Sequence, residues 1–225
     1  MNAQAAIALA AQAMERSPGY WQTVGWRFLR DRVAIVAALM ILLLLVLATF
    51  GPLLAPADPY GASMLSRLKP IGTPGHVLGT DELGRDMLSR LIVGTRLSLF
   101  LGITPVVCAF MVGATIGIVA GYAGGALNSV IMRTVDVFYA FPSVLLAIAL
   151  SGALGAGITN SLISLTVVFI PPIARVAESV TTQIRTRDFV EAARASGASA
   201  FTIVRVHVLG NVLGPIFVYS TSLIA

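Results

Sequence analysis

The chain has few charged residues and few residues that could bind a metal or form a disulfide. Only 11% of its 225 residues are charged and 57% are hydrophobic, whereas a soluble domain carries about 25% charged residues. Such a chain cannot cover a water-soluble surface, so the composition indicates a multi-span membrane protein. Cys108 is the only cysteine, which excludes an internal disulfide and a thiolate metal cluster.

Several motifs of catalysis and binding are also absent. No G-x-x-x-x-G-K-[ST] sequence occurs, so the chain cannot hold ATP in a phosphate-binding loop of that kind. His76 and His207 are the only histidines and lack the H-E-x-x-H spacing of a zinc protease. The net charge of +5 comes from arginines that form no dense run, which argues against a nucleic-acid surface.

Uncharged runs predict the membrane spans. Val33–Leu54 is long enough for a first span, since a span needs about 20 apolar residues. Residues 1–32 would then form a cytoplasmic N-terminal segment. Within it, Tyr20–Arg32 alternates aromatic residues with arginines and favours an interfacial helix, although a simple basic flank would show the same pattern.

The rest of the chain contains further apolar runs. The glycine-rich stretches Gly121–Ser129 and Ser151–Asn160 divide them into spans two, three and four. Pro171 and Pro172 should bend or end span four. A fifth run begins near Pro215, a residue suited to a first helical turn, and is too short to cross comfortably.

The loop between spans one and two, residues 55–94, combines an irregular part with a predicted short helix. Thr80–Gly94 places apolar residues at helical spacing, and Asp86 and Arg90 could pair on its wet face. This helix could lie at the membrane interface and lead into span two. Alternatively, it could form a lip that touches a delivering protein outside.

The polar segment Asp188–Ser199 predicts a short helix that docks on a partner. Asp188 and Glu191 have the D-x-x-E spacing of a capping box, and Ala192 and Ala193 leave a smooth helical surface. Gly197 indicates a turn or a close approach by another backbone. An exposed helix, a turn and a second helix would suit the groove of a partner protein.

Three other features have structural interpretations. Arg133 and Asp136 could form an ion pair at the inner interface, although Asp136 could also be a proton site in an ion-coupled carrier. Ser151 lies between small residues and leaves an intramembrane hydrolase open as a weaker alternative. Glycines at every fourth position of span two would let another helix approach closely: Gly113, Gly117 and Gly121.

Several segments together resemble the permeases of ABC importers. "EAARASG" (Glu191–Gly197), followed by "IVRVHVLGNVLGPI", is similar to the EAA loop of that family. "HVLGTDELGRDMLSR" (His76–Arg90) and "RTVDVFYAFPSVLLAIAL" (Arg133–Leu150) resemble the dipeptide and oligopeptide branch. One departure is Leu209-Gly210-Asn211, where the family usually has Leu-Pro-Asn, so the turn there would be less firmly fixed.

The resemblance implies an all-α bundle of the type I importer permease fold. About five of an expected six spans are present, so the chain looks truncated at its C-terminal end. Residues 95–225 would be an incomplete permease domain whose cytoplasmic EAA coupling loop covers about residues 178–211. The ATPase-docking residues would be those that match the family motif and its cap: Asp188, Glu191, Ala192, Ala193 and Gly197.

The resemblance also implies an assembly in the bacterial inner membrane. The chain would be a transport subunit rather than an enzyme and would bind no cofactor, because ATP and Mg²⁺ would be used by partner subunits. Those partners would be a second homologous permease, two cytoplasmic ATP-binding subunits and a periplasmic or lipid-anchored substrate-binding protein. Peptides are the expected solutes, with nickel chelates and other small solutes as alternatives.

Overall fold

The computed structural model describes residues 19–224, with residues 20 and 21 described by their backbone only. Residues 1–18 of the predicted N-terminal segment therefore lie outside the described residues. Over the described part the chain is helical, and its only β-type pairs are two isolated bridges, Thr73 with His76 and Thr80 with Asp86. The all-α prediction is confirmed. The chain divides into two units, residues 1–96 and 97–225.

The described part of the first unit begins with two helices that follow each other directly. Helix α1 is Tyr20–Arg30 and helix α2 is Arg32–Leu54. Asp31 separates them, because its carboxylate accepts hydrogen bonds from the backbone N–H groups of Val33 and Ala34 and so caps α2. The predicted first span is present as α2, one residue longer than expected.

Helix α1 has the composition of an interfacial helix. Its arginines alternate with exposed aromatic residues, and the guanidinium of Arg30 lies 4.2 Å from the centre of the Trp26 ring. A cation stacked on tryptophan suits the headgroup layer, where one end of the side chain is apolar and the other is wet. The interfacial position and the simple basic flank both stay predictions.

The predicted helix that begins at Thr80 is wrong in its start. Helix α3 is Met87–Ala123, a single helix of 37 residues that contains both the apolar part of that segment and the second span. It begins at Met87 because the carboxylate of Asp86 accepts from the N–H and hydroxyl of Ser89. Residues 80–86 form turns instead.

The second unit consists of the rest of α3 and a series of helices joined by short connections. After α3 come α4 (Gly125–Tyr139), α5 (Ser143–Leu154), α6 (Ile158–Arg185), α7 (Asp188–Ala195) and α8 (Ala200–Ile203). A π-helical turn (Val204–Val208) then leads into α9 (Leu209–Ser222). The predicted breaks near residues 121–129 and 151–160 are present between these helices.

The number of spans agrees with the prediction of about five. Among the described residues, four helices are long and apolar enough to cross a membrane, and α4 with α5 adds a fifth if the pair counts as one span. This pair is bent by 83°. The predicted fifth span is wrong in its start, because Ala200–Ser222 is helical throughout and Pro215 lies inside it.

Helix α6 does not end at its two prolines. It continues through Pro171 and Pro172 to Arg185, with Ile173 and Ala174 fully buried directly after them. Burial of the following turn holds the helix together where the prolines remove two backbone donors. As a result, α6 extends beyond its apolar part and carries its packed face down to the segment that precedes α7.

Candidate functional site

The predicted docking helix is present as α7, but its cap differs from the prediction. Arg187 occupies the N-cap position in an extended conformation, and no side chain caps the helix. Asp188 is the first helical residue, so the capping box of Asp188 with Glu191 is not formed. Both carboxylates still lie in the first turn, where they interact favourably with the positive end of the helix dipole.

One side of α7 is anchored in the core of the second unit. Val190 is fully buried and Ala193 is partly buried against a cluster that also contains Ile203 and Val208. Successive residues of a helix are rotated by about 100°. The side opposite Val190 therefore carries Asp188, Ala192 and Ala195, with Glu191 on its flank about 100° from Val190, and all four are exposed.

The turn after α7 explains the glycine of the motif. Gly197 has a φ of +81°, and a side chain at this position would meet open space. The N–H of Ala198 donates to the carbonyl of Ala193, which closes the helix end as in a Schellman motif. The glycine thus serves a left-handed turn, and of the two predicted alternatives only the turn is seen within this chain.

After the turn at Gly197 the chain enters α8 directly. Ser199 caps α8 by accepting a hydrogen bond from the N–H of Thr202 at 3.2 Å. The ring of Phe189 on α7 lies 6.3 Å from the ring of His207 in the π-helical turn. Phe201 is 73% exposed, so α8 also presents an aromatic side chain.

Helices α3 and α6 pack closely along the predicted glycine stripe. A Cβ atom added to Gly117 would lie 2.6 Å from the Cβ of Ala177, and one added to Gly121 would lie 2.8 Å from the Cβ of Thr181. At Gly113 the nearest atom would be the carbonyl oxygen of Ile170, at 2.9 Å. Only glycine permits this approach, which joins α6 to α3 over two turns.

Polar contacts join the last turns of α6 to α3 and to α4. The guanidinium of Arg185 donates to the carbonyl of Tyr122 at 3.3 Å. The amide of Asn128 donates to the carboxylate of Glu178 at 2.6 Å, and Thr182 donates to the same carboxylate. Because α6 ends at Arg185, three residues before α7, a displacement of α7 would be passed on to packed helices rather than to a loose loop.

Asp136 pairs with a different arginine from the predicted one. Its Oδ1 accepts from Nη2 of Arg175 on α6, and Arg133 makes no ion pair with it in the described structure. The i,i+3 spacing allowed the Arg133 pair, but Arg175 reaches the carboxylate across the α4–α6 contact. Sequence reasoning missed Arg175 and Glu178, and the only signal was that they are the first charges after a long apolar run.

The loop before α3 contains a second polar cluster. Burial raises the pKa of Asp86, but hydrogen bonds from Ser89 and His76 outweigh burial and lower the pKa overall. The backbone N–H of Arg85 is the main cause that lowers the pKa of Asp81 to about 2. The predicted Asp86–Arg90 pair is wrong, because Asp86 is buried and Arg90 pairs with Asp81.

Neither alternative chemistry gains support from the structure. Within residues 19–224, no group of three or more His, Cys, Asp or Glu side chains could hold a metal ion. No hydrogen bond joins Ser151 to either histidine in this part of the chain. Asp136 is paired with Arg175 and is not an isolated carboxylate.

The fold and the exposed helix define a class of protein: a polytopic helical membrane protein with a short exposed helix, α7, between two of its candidate spans. Comparison with known proteins narrows the class. Residues 113–225 match the family described as binding-protein-dependent transport system inner membrane component. Residues 19–70 match the N-terminal transmembrane domain of oligopeptide transport permease C.

Individual relatives agree with these matches. The glutathione transport system permease protein GsiD of Pectobacterium atrosepticum is 38% identical over 199 residues, which cover 88% of this chain and 66% of the relative. The di/tripeptide transport system permease protein DppC of Pseudomonas aeruginosa is 37% identical and covers 90% and 67%. The dipeptide transport system permease protein DppC of Haemophilus influenzae is 33% identical and covers 86% and 68%.

The chain belongs to the family of binding-protein-dependent transport system inner membrane components, as the sequence resemblance predicted. It spans about two thirds of the length of the curated relatives that it matches. The type I permease fold and a multi-pass inner-membrane protein follow from the family and the candidate spans.

Proposed function

We propose that this chain is the permease subunit of an ATP-driven importer and forms half of a path for peptides or similar small solutes. Its partners would be a second homologous permease, two cytoplasmic ATP-binding subunits and an external substrate-binding protein. The chain itself would catalyse no reaction and bind no cofactor, since ATP and Mg²⁺ would act on the partner ATPases. The permease family and the transport names of the relatives support this assignment.

The observation that carries the proposal is the division of α7 into a buried and an exposed side. Val190 fixes the helix to the core, while Asp188, Glu191, Ala192 and Ala195 remain free to meet another protein. Small side chains let a partner surface approach closely, and the two carboxylates can pair with cations on it. We therefore assign this side of α7 as the ATPase-docking surface.

The mechanism follows from the connections of α7. It is joined to α6 by two residues and packs on the same cluster as α9. Closure of the two ATPases around ATP would displace α7, and the packed helices would move with it. A flexible loop would absorb much of this displacement, whereas packed helices pass most of it on to the spans.

The proposal fixes the orientation of the chain. If α7 meets cytoplasmic ATPases, the N-terminus is cytoplasmic and residues 55–86 lie on the outer side. The arginines of α1 agree with that orientation, because positive residues that flank a span favour the cytoplasm. The solute is proposed only as a class, since the relatives carry names for dipeptides, tripeptides and glutathione.

Co-purification with the ATP-binding subunits tests the proposal. Ala192→Trp places a bulky ring on the exposed side of α7, and loss of a central contact typically costs about 2 kcal/mol, or about thirtyfold in affinity. We expect the variant to insert in the membrane but to lose its ATP-binding partners in detergent. Those partners are identified by mass spectrometry and by their phosphate-binding loop sequence.

Ala126→Trp is the matched control, because Ala126 is exposed at the start of α4 and would lie on the same side of the membrane. The Ala126→Trp variant should co-purify with the ATP-binding subunits as the unmodified protein does. Normal co-purification of Ala192→Trp at normal membrane levels would overturn the docking assignment. Equal loss with both variants would show that the effect is not specific to α7.

A further inference from the structure

A half-exposed ion pair joins α4, one half of the bent α4–α5 pair, to the candidate span α6. Asp136 on α4 and Arg175 on α6 contact each other, and their side chains retain 46% and 48% of their exposure. Arg175 follows the start of α6 by 17 residues, or about 26 Å along the helix. If α6 enters a hydrocarbon core about 30 Å thick at its first residue, the pair lies near the inner end of that core.

Exposure at this depth needs an explanation. A charged side chain in the bilayer is unfavourable unless it faces protein or water. Asp136 and Arg175 neutralise each other, but both remain half-exposed. No other ion pair among the described residues reaches them, because Glu178 is bonded to Asn128 and Thr182 and Arg133 makes no ion pair. The pair is therefore expected to face something other than lipid.

A cavity of about 260 Å³ lies beside the pair. Aromatic residues and both prolines of α6 line it, together with Ser143 at the start of α5. Tyr139 joins the cavity to the pair, because it lines the cavity and its ring centre is 5.8 Å from Cζ of Arg175. A charged pair and an aromatic wall thus share one surface.

The backbone around the cavity is also polar. Helix α4 ends at Tyr139 and α5 starts at Ser143 after a bend of 83°. Pro171 and Pro172 have no N–H groups, so the carbonyls four residues earlier in α6 lose their helical donors. Non-helical backbone at membrane depth is tolerated where it is buried in protein or lines a water-filled cavity.

We infer that Asp136, Tyr139 and Arg175 form a contact site, on the water-filled path, for a small solute that carries both a carboxylate and an ammonium group. The inference rests on the proposed permease function. The guanidinium of Arg175 can bind a carboxylate through two parallel hydrogen bonds, and Asp136 can accept from an ammonium group. The face of Tyr139 supplies apolar contact and attracts cations.

Charged thiol reagents test the site without knowledge of the solute. In a Cys108→Ser background, Tyr139→Cys is treated with an anionic sulfonatoethyl and a cationic trimethylammonioethyl methanethiosulfonate. The complete transporter is used in inner-membrane vesicles open to the reagents. Both reagents should react, because the site faces water.

The charge variants give the sharper result. A unit charge about 6 Å away in a water-like medium changes a local concentration about threefold. Asp136→Asn should therefore favour the anionic reagent about threefold, and Arg175→Gln should favour the cationic reagent about threefold. The double variant removes both charges and should show no preference, which also controls for distorted packing in the single variants.

Val137→Cys is the matched control. Val137 is 60% exposed against 53% for Tyr139, but it lies about 160° around α4 from it. It should react at least tenfold more slowly. The inference is overturned if the Tyr139→Cys thiol is inert to both reagents, if neither charge variant changes the preference, or if the Val137→Cys thiol reacts equally fast.

The same protein separates this inference from the proposed function. If the Tyr139→Cys thiol is inert but the ATP-binding subunits still co-purify with this variant, the contact site is refuted and the proposed permease function stands. Absence of these subunits from the unmodified protein would instead refute the function on which the site depends.

Discussion

Replacement of Gly117 by alanine should separate α3 from α6. The added Cβ would lie 2.6 Å from the Cβ of Ala177 and 2.8 Å from the backbone nitrogen of Glu178. Carbon atoms in good contact are about 3.5–4.0 Å apart, so the helices would have to move apart by about 1 Å. Overpacking of this kind costs about 1–3 kcal/mol.

The measurement is thermal stability in detergent. After heating, the fraction of protein that is still monodisperse is read by size-exclusion chromatography with fluorescence detection. A cost of about 1–3 kcal/mol corresponds to a midpoint lower by about 2–12 °C for a chain of this size. Gly94→Ala is the control in the same helix, because nothing lies within 4 Å of its added Cβ. Its stability should be unchanged or slightly higher, since alanine favours helix.

The reasoning would be refuted if Gly117→Ala were as stable as the unmodified protein while Gly94→Ala behaved as expected. That result would mean that α3 and α6 can separate freely. The proposed coupling of α7 to the spans would then lack the close contact between α3 and α6 on which it depends.

Two further predictions concern the turn after α7 and the loop before α3. Gly197→Ala should weaken co-purification of the ATP-binding subunits, because a left-handed backbone conformation costs about 1–2 kcal/mol for a residue with a side chain. Gly197→Asn should retain more co-purification, since asparagine tolerates this conformation better. Equal behaviour of the two variants would contradict this prediction. The pKa of Asp81 is about 2 in the folded loop, below its unfolded value, so its stabilising effect is present above about pH 4 and is lost as the pH falls towards 2. Hydrogen exchange at the amide of Leu68, which donates to the carbonyl of Asp81, should speed up over that range after correction for intrinsic rates. Asp81→Asn should remove this pH dependence, and an Asn variant that follows the unmodified protein would refute it.

Much of the fold could be predicted because hydrophobic runs and glycine-rich breaks act locally. The first span and the breaks near residues 121–129 and 151–160 depend on a few neighbouring residues, and the structure has them where expected. The glycines at 113, 117 and 121 indicated a close helix contact because their spacing puts them on one side of α3. The sequence could not show that α6 is the helix packed there.

The errors arose where tertiary contacts override local signals. Pro171 and Pro172 predicted a bend or an end of the helix, and the end is not seen, because burial of Ile173 carries α6 through them. The Asp86–Arg90 spacing suited an exposed pair, whereas Asp86 is buried as a helix cap with His76 and Ser89.

The helix of the docking motif was predicted better than its details, while its docking role stays a proposal. The motif predicted a helix within Asp188–Ser199 and a turn at Gly197, and the structure has a helix at Asp188–Ala195 and the turn at Gly197. The cap was misplaced by one residue because Arg187, in an extended conformation, precedes the first helical turn. Arg175 could not be assigned as the partner of Asp136, since that pair depends on how α4 and α6 pack.

The most direct test of the account is a cross-link from α7 to an ATP-binding subunit. In the Cys108→Ser background, Ala192→Cys carries a photoactivatable maleimide in inner-membrane vesicles, and the products are identified by mass spectrometry. The account predicts a product that contains an ATP-binding subunit with its phosphate-binding loop sequence, and little such product from Ala126→Cys. No cross-link to such a subunit from the Ala192→Cys variant, while the subunits are present in the membrane, would contradict it.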